Sequence, residues 1–312
     1  MDHTVILETL HGSQAYGLAT AASDTDRKGV YVAGPQAFHG YRPWPEQVEL
    51  SPDHVRYDIR KFFALAAACN PTVIELLFTD EADRSALTGE GRLLLEHRTR
   101  FLSRRAGDSF GRYGLSQLRR IKTHRRWLLS PPQRKPERRE FDLPESTVIP
   151  RDQLGAAEAL IADGRLAEAE LTPNFLAIMD RERRYRAAAR EWQQYQEWLR
   201  LRNPKRAELE RTHGYDTKHA MHLVRLLRMA REILESGEVR VRRPDADELR
   251  AIRDGALSFD ELLAESERMG DALPGLARAS PLPAAPDEDL LDRLCAQIVA
   301  DVHRRISTGG ES

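Results

Sequence analysis

The sequence predicts an α+β protein, with a small mixed sheet in residues 1–95 and a mostly α-helical domain in residues 96–312. Two observations lead there. In roughly the first eighty residues, short β-branched or alternating apolar runs are punctuated by Gly and Pro, the pattern of strands and turns. From Gly91 onward, apolar residues recur at steps of three and four, the helical period. A chain of 312 residues has room for one large or two modest domains, and the change of period sets the boundary near 90–95.

Thr4 to Leu10 is an apolar, β-branched run that ends at Gly12, and Lys28 to Ala33 is a second. His54 to Ile59 is a third, with Val55, Tyr57 and Ile59 alternating. Gly34 to Pro52, between the second and third, reads as turns with room for a short hairpin. A helix from Arg60 carries Phe62, Phe63, Leu65 and Ala66 and stops at Asn70-Pro71, because the residue before a proline is pushed out of the α region. Val73 to Phe78 is a further apolar run.

In the second region a helix with Leu115, Leu118 and Ile121 as its stripe leads into an irregular, proline-rich stretch around 130–150. Ala156 to Ala169 and Asp180 to Arg202 read as helices, and Tyr185, Trp192, Tyr195 and Leu199 on the latter read as a packing face. His219 to Ser236 is a helix stopped by Gly237, and Ala277 to Pro286 is a linker before a closing amphipathic helix, Asp287 to Ile306.

Lys and Arg number 48 against 49 Asp and Glu, a net charge of −1, with 41% of residues hydrophobic. A uniformly basic nucleic-acid coat and an acidic disordered chain are both excluded, since each would carry a large charge of one sign. Cys69 and Cys295 are too few and too far apart for a disulfide framework or a cysteine-built zinc site. No signal-peptide pattern and no bilayer-length apolar run is found, which gives the expectation of a cytoplasmic chain without membrane contact.

The charge is unevenly spread. Residues 98–139 hold fourteen Lys and Arg against two Asp and Glu, including Arg119, Arg120, Lys122, Arg125 and Arg126. With Tyr113, His124 and Trp127 interleaved, this block suits an RNA or DNA backbone, with rings available for stacking. The Arg119 to His124 spacing also occurs in some helical ribonucleases, but in so arginine-rich a block it is expected by chance.

The most informative stretch is His11-Gly12-Ser13-Gln14-Ala15-Tyr16-Gly17, followed by Ser23-Asp24-Thr25-Asp26-Arg27-Lys28-Gly29-Val30. Asp24 and Asp26 at i and i+2 of a strand would present two carboxylates on one face. Such a pair repels itself unless a cation intervenes, and hard oxygen ligands suit Mg²⁺ completed by substrate phosphates. A Gly12-Ser13 turn opening a helix would offer free N–H groups and a hydroxyl to phosphate. The alternative for Asp-x-Asp is a pair of solvated surface acids.

The Gly-Ser, spacer, Asp-x-Asp arrangement resembles the DNA polymerase β-like nucleotidyltransferase superfamily, and its fuller wording is similar to a bacterial and phage branch, the YcgL-like group. The resemblance implies a third acid on the next strand, falling on Asp58 in His54-Val55-Arg56-Tyr57-Asp58. It also implies two Mg²⁺ ions, replaceable by Mn²⁺, at Asp24, Asp26 and Asp58, and NTP phosphates at Gly12 and Ser13. Thr25 departs from the apolar residue usual between the two aspartates. The expected activity is transfer of NMP from an NTP to an acceptor hydroxyl, an RNA or DNA end, with pyrophosphate leaving. A catalytically silent nucleotide-sensing or RNA-binding module, and transfer to a protein or small-molecule hydroxyl, are the alternatives.

A second stretch, His213-Gly214-Tyr215-Asp216-Thr217-Lys218-His219 to Arg228, resembles the same branch, as do Arg243-Pro244-Asp245 and Ile252-Arg253-Asp254-Gly255. An N-cap at Asp216 or Thr217 would place Lys218, His222 and Arg225 on one helical face. That face is either a triphosphate or nucleic-acid contact, with Lys218 and His222 as ligands, or a basic surface stripe with His219 packed inside. The spacing of the three histidines does not suit zinc. Oligomeric state has no signature in the sequence.

Overall fold

A computed structural model describes residues 3–21, 23–39, 41, 43–147, 151–163 and 172–309. Five strands form one sheet: β1 (His3–His11), β2 (Asp26–Ala33), β3 (Gln47–Ser51), β4 (His54–Asp58) and β5 (Arg84–Leu87), in the order β3-β4-β2-β1-β5. The β2–β4 pairing is parallel and the other three are antiparallel, so the sheet is mixed. The three runs foreseen as strands are β1, β2 and β4. The turn-rich interval supplies β3, which pairs back on β4 as a hairpin. β5, only four residues long, has no alternating run to announce it.

Helices occupy most of the connections, and among the described residues every regular element after residue 88 is helical. The first half carries α1 (Gly12–Ala15), α2 (Gln36–His39), α3 (Ile59–Ala67), α4 (Pro71–Leu77), α5 (Gly89–Glu96) and α6 (Arg105–Leu129). α7 (Arg151–Ala162), α8 (Pro173–Leu201), α9 (Pro204–His213), α10 (Thr217–Ser236), α11 (Ala246–Arg253), α12 (Phe259–Ala279) and α13 (Glu288–Gly309) follow. The break at Asn70-Pro71 is real but short. Asn70 accepts from the Thr72 N–H and Pro71 opens α4, where its missing N–H costs nothing. The helix expected over Ala156 to Ala169 is described only to Ala162, and its remainder, like the end of the 130–150 stretch, lies outside the described residues.

Packing divides the chain into two compact units, residues 1–122 with 213–312, and residues 123–212. In the first, Ile6, Leu7, Val30, Val32, Phe62, Ile74, Leu76 and Leu77 of the sheet and its flanking helices share one apolar cluster with Leu223, Val224, Leu227, Ile233 and Ile298. The second has a small apolar nucleus around Leu154 and Met179. It also has a ring cluster in which Trp127, Tyr195 and Trp198 pack on one another while Tyr195 and Trp198 stay half-buried. The aromatic positions of α8 are therefore a packing face, but one that keeps a solvent side.

His124 stacks between Trp127 and Trp198, with ring centroids 5.6 and 5.3 Å away, and its Nδ1 lies 3.6 Å from Glu210 Oε1. That is a histidine engaged in packing, in keeping with chance spacing to Arg119. Glu182, fully buried in the same unit, is held by an ion pair to Arg138.

In the first unit a buried polar knot ties α10 to the sheet. Arg225 on α10 forms an ion pair with Glu75 Oε1 on α4 and lies 3.8 Å over the Tyr16 ring, while the Tyr16 hydroxyl donates to Glu75 Oε2 at 2.5 Å. Burial would lower Arg225, but Glu75 and Tyr16 more than offset it and hold the guanidinium above its ordinary range. Removing one partner would strand a buried charge. Arg225→Met or Glu75→Gln is therefore expected to cost about 3–5 kcal/mol in urea unfolding, with Arg225→Met/Glu75→Leu recovering part of the loss. Single variants as stable as the parent would show that the pair does not hold α10.

Candidate active site

Asp26 opens β2, and Asp24 lies in the segment just before the strand, exposed where Asp26 is half-buried. The pair is thus one residue of strand and one of loop, where two strand residues were expected. The Gly12-Ser13 turn sits directly against Asp26, because His11 at the end of β1 pairs with Asp26 in the register. A Cβ on Gly12 would lie 2.0 Å from Asp26 Oδ2, and Gly12 has φ +63°, so the close approach and the left-handed turn both require glycine. α1 beyond it is a single turn of four residues.

Asp58 is not brought to this pair. The parallel register sets Arg27 opposite His54 and Tyr31 opposite Asp58, so Asp58 lies five positions along the strand from Asp26, roughly 16 Å away. Alternation also puts it on the other face of the sheet, with Tyr31, Arg56 and His54. There it caps α3, its Oδ1 accepting from the Arg60 N–H at 3.0 Å and from Arg60 Nε at 2.9 Å. Burial and, after it, the Asp58 carboxylate push the Cys295 thiol on α13 up to about 11, a second sign that Asp58 looks away from Asp26. The placement of Asp58 as third acid is therefore corrected, and its role in the structure is that of a helix cap.

The same register brings Asp53 instead. Asp53 immediately precedes β4 as Asp26 opens β2, and the Arg27 N–H donates to its carbonyl at 2.7 Å. Burial, then the Asp53 carboxylate, raise the Asp26 pKa, with Asp24 adding to them while Lys28 and Lys218 pull it down. Three carboxylates and two ammonium groups therefore act on one another at the starts of β2 and β4. Asp53 was missed because it sits in a Ser-Pro-Asp turn, outside the alternating run. The signal was the parallel topology, which aligns strand starts.

Lys218 is the second residue of α10, half-buried, behind an Asp216 N-cap that accepts from the His219 N–H at 3.0 Å. His219 is packed inside, its Nδ1 2.7 Å from Asp216 Oδ2, and His222 is half-buried one turn on from Lys218. Arg225, placed on the same face from spacing, is instead the buried partner of Glu75. Of the basic block, Arg119, Arg120, Lys122 and Arg126 are exposed and Arg125 is half-buried; Lys122 pairs with Glu267 at 3.6 Å and Arg126 with Glu191 at 2.6 Å.

Further residues missed by sequence reasoning lie behind the turn. Burial pushes His11 down to about 4, although Glu75, 3.5 Å away, pulls the other way, so the ring is neutral at ordinary pH. Burial also raises the Tyr16 hydroxyl. The loop that follows is clamped from outside, with the Arg243 N–H donating to Tyr16 O at 3.0 Å and Arg250 donating to Gly17 O at 2.6 Å.

These carboxylates could hold a hard divalent cation: burial and then the Asp53 and Asp24 charges raise Asp26, a cation would offset both, and Mg²⁺ needs only one or two carboxylates when phosphates supply the rest. Among the described residues, no three or more His, Cys, Asp or Glu side chains already stand close enough together to hold a metal. Residues 1–129 match the RNA repair pathway DNA polymerase beta family. No curated protein and no solved structure matches the chain. The match supports the polymerase β-like assignment and does not reach the finer bacterial and phage branch. No helix among the described residues is long and apolar enough to cross a membrane.

The repulsion has a testable sign. A carboxyl raised in the folded state costs stability wherever it is ionised, and that cost disappears once acid protonates it in both states. Asp26→Asn should therefore raise the melting temperature of the metal-free protein at neutral pH, with the gain fading as pH falls below the carboxylate range. Gly12→Ala should lower it. An Asp26→Asn variant that melts below the parent at neutral pH would contradict the crowding.

Proposed function

Because residues 1–129 match the RNA repair pathway DNA polymerase beta family, we propose that the chain moves an NMP from an NTP to an acceptor hydroxyl on an RNA end. The observation that carries this is Asp26 set against the Gly12-Ser13 turn and within electrostatic reach of the Asp53 and Asp24 carboxylates. The RNA acceptor is supported by the family's RNA repair description and by the exposed Arg119 and Arg120 of α6. On this reading the catalytic domain is the sheet-bearing part of the chain, residues 1–95, and the residues from 96 on serve it as a helical domain.

Asp24, Asp26 and Asp53 would hold Mg²⁺, with Mn²⁺ as a substitute. The bound ion would supply charge neutralisation at the phosphates and a lowered pKa for the acceptor hydroxyl. Gly12 N–H and the Ser13 hydroxyl hold the triphosphate against the acids, and Lys218 at the start of α10 adds positive charge from the helical side. The acceptor oxygen attacks the α-phosphorus in line, forming one P–O bond as the bond to the bridging oxygen of the β-phosphate breaks. The proton of the acceptor hydroxyl passes to the Asp53 carboxylate, and the electron pair of the broken bond leaves with pyrophosphate.

Incubation with each of four α-labelled NTPs and total cellular RNA, protein and small molecules tests the reading. Label is expected in the RNA fraction, and Asp26→Ala or Asp53→Ala should lower it about a hundredfold or more. Asp58→Asn, which keeps a capping side chain, should retain turnover. Label in protein or small molecules would replace the acceptor, and no label in any fraction would favour a silent nucleotide-sensing or RNA-binding module. With RNA as acceptor, affinity should fall steeply between about 50 and 200 mM salt.

A further inference from the structure

Lys28 lies two residues after Asp26 on the same strand, just before that face turns into the buried core at Val30. Alternation along β2 puts Asp26 and Lys28 on one face, and the register sets Lys28 between Thr9 of β1 and Val55 of β4. Its electrostatic neighbours are Asp26, Glu75, Asp53 and Glu49, so its ammonium stands among the site carboxylates.

Several other cations around the turn are engaged in ion pairs. Arg225 is paired with Glu75, Arg242 with Asp80 and Asp83, Arg243 with Glu232 and Asp245, and Arg250 with Asp247 and the Gly17 carbonyl. On the opposite face Arg56 pairs with Glu8 and Arg60 with Asp58. Lys28 is half-buried, and among the described residues its ammonium makes neither an ion pair nor a hydrogen bond. A cation drawn partly out of water without a direct partner is an unfavourable arrangement that an incoming anion would relieve.

We infer that Lys28 is a phosphate ligand of this site, its ammonium binding the β- and γ-phosphates of the NTP from the sheet side while Gly12 and Ser13 hold them from the turn. The inference rests on the nucleotidyltransferase reading and adds a specific residue to it. A lysine suits the task because it is a compact point charge on a flexible stem, with three donors that can follow phosphate oxygens as they move. Charge grows on the departing pyrophosphate as the bond to the α-phosphorus breaks, so the same contact strengthens during the reaction and aids turnover as well as binding.

Calorimetric titration of the full chain in Ca²⁺ with ATP, GTP, CTP and UTP, with the matching monophosphates, and with pyrophosphate tests this. Lys28→Met should weaken triphosphate and pyrophosphate binding by about tenfold to a hundredfold and leave monophosphate binding within about twofold. Lys28→Arg should restore much of the loss. Should Met at this half-buried position unfold the chain, Lys28→Gln and Lys28→Arg carry the comparison. A Lys28→Met protein that keeps the parent's preference for triphosphate, or that loses monophosphate binding equally, overturns the inference while the proposed function stands. A parent protein that binds none of the four NTPs removes both.

Discussion

Parallel pairing of β2 with β4 is the constraint from which the site follows. In an antiparallel pair the start of one strand meets the end of the other, so acids at two strand starts would be held apart. Parallel register aligns the starts, and it is this that sets Asp53 beside Asp26 and sends Asp58 to the far end and the opposite face. Burial and, after it, the aligned Asp53 carboxylate raise the Asp26 carboxyl, and Lys28 and Lys218 act against that rise. On the proposed reading such a site would be less stable empty than filled, because a bound cation would relieve the crowded carboxylates.

The second dependency runs through the Tyr16–Glu75–Arg225 knot. Gly12 to Gly17 is a loop with one turn of helix, too short to hold its own shape. It is fixed by the Tyr16 hydroxyl on Glu75, by Arg225 over the Tyr16 ring, and by the Arg243 and Arg250 donations to its carbonyls. Three of these partners come from residues after 213. The helical residues thus supply both rigidity to the Gly12–Gly17 loop and, through Lys218, charge to the acids, which accounts for the compact unit joining residues 1–122 to 213–312.

What the sequence disclosed followed from short-range rules. Strand alternation, the Asn70-Pro71 break, the Gly237 stop at φ +71° and the Gly12-Ser13 turn are local, and all are found where expected. The place of Asp26 at the start of a strand was legible for the same reason. Asp58 was assigned from a family pattern that asks for an acid on the next strand, and two acids bracket that strand. Choosing between Asp53 and Asp58 needs the direction and register of a pairing across about twenty-seven residues of chain, which no local pattern carries. Arg225 was misplaced by a related omission. Helical spacing put it on a face with Lys218, while burial against Glu75, a residue 150 positions away, decided its role. β5 was too short to show any period.

The most direct test of the account is the position of metal and phosphate in a crystal of the full chain grown with Mn²⁺ and a non-hydrolysable NTP analogue, located by the anomalous signal of manganese. The account predicts manganese between Asp26 and Asp53, with Asp24 completing the carboxylates and the phosphates lying between Ser13 and Lys28. Manganese bound at Asp58, or a nucleotide seated away from the Gly12-Ser13 turn, would contradict it.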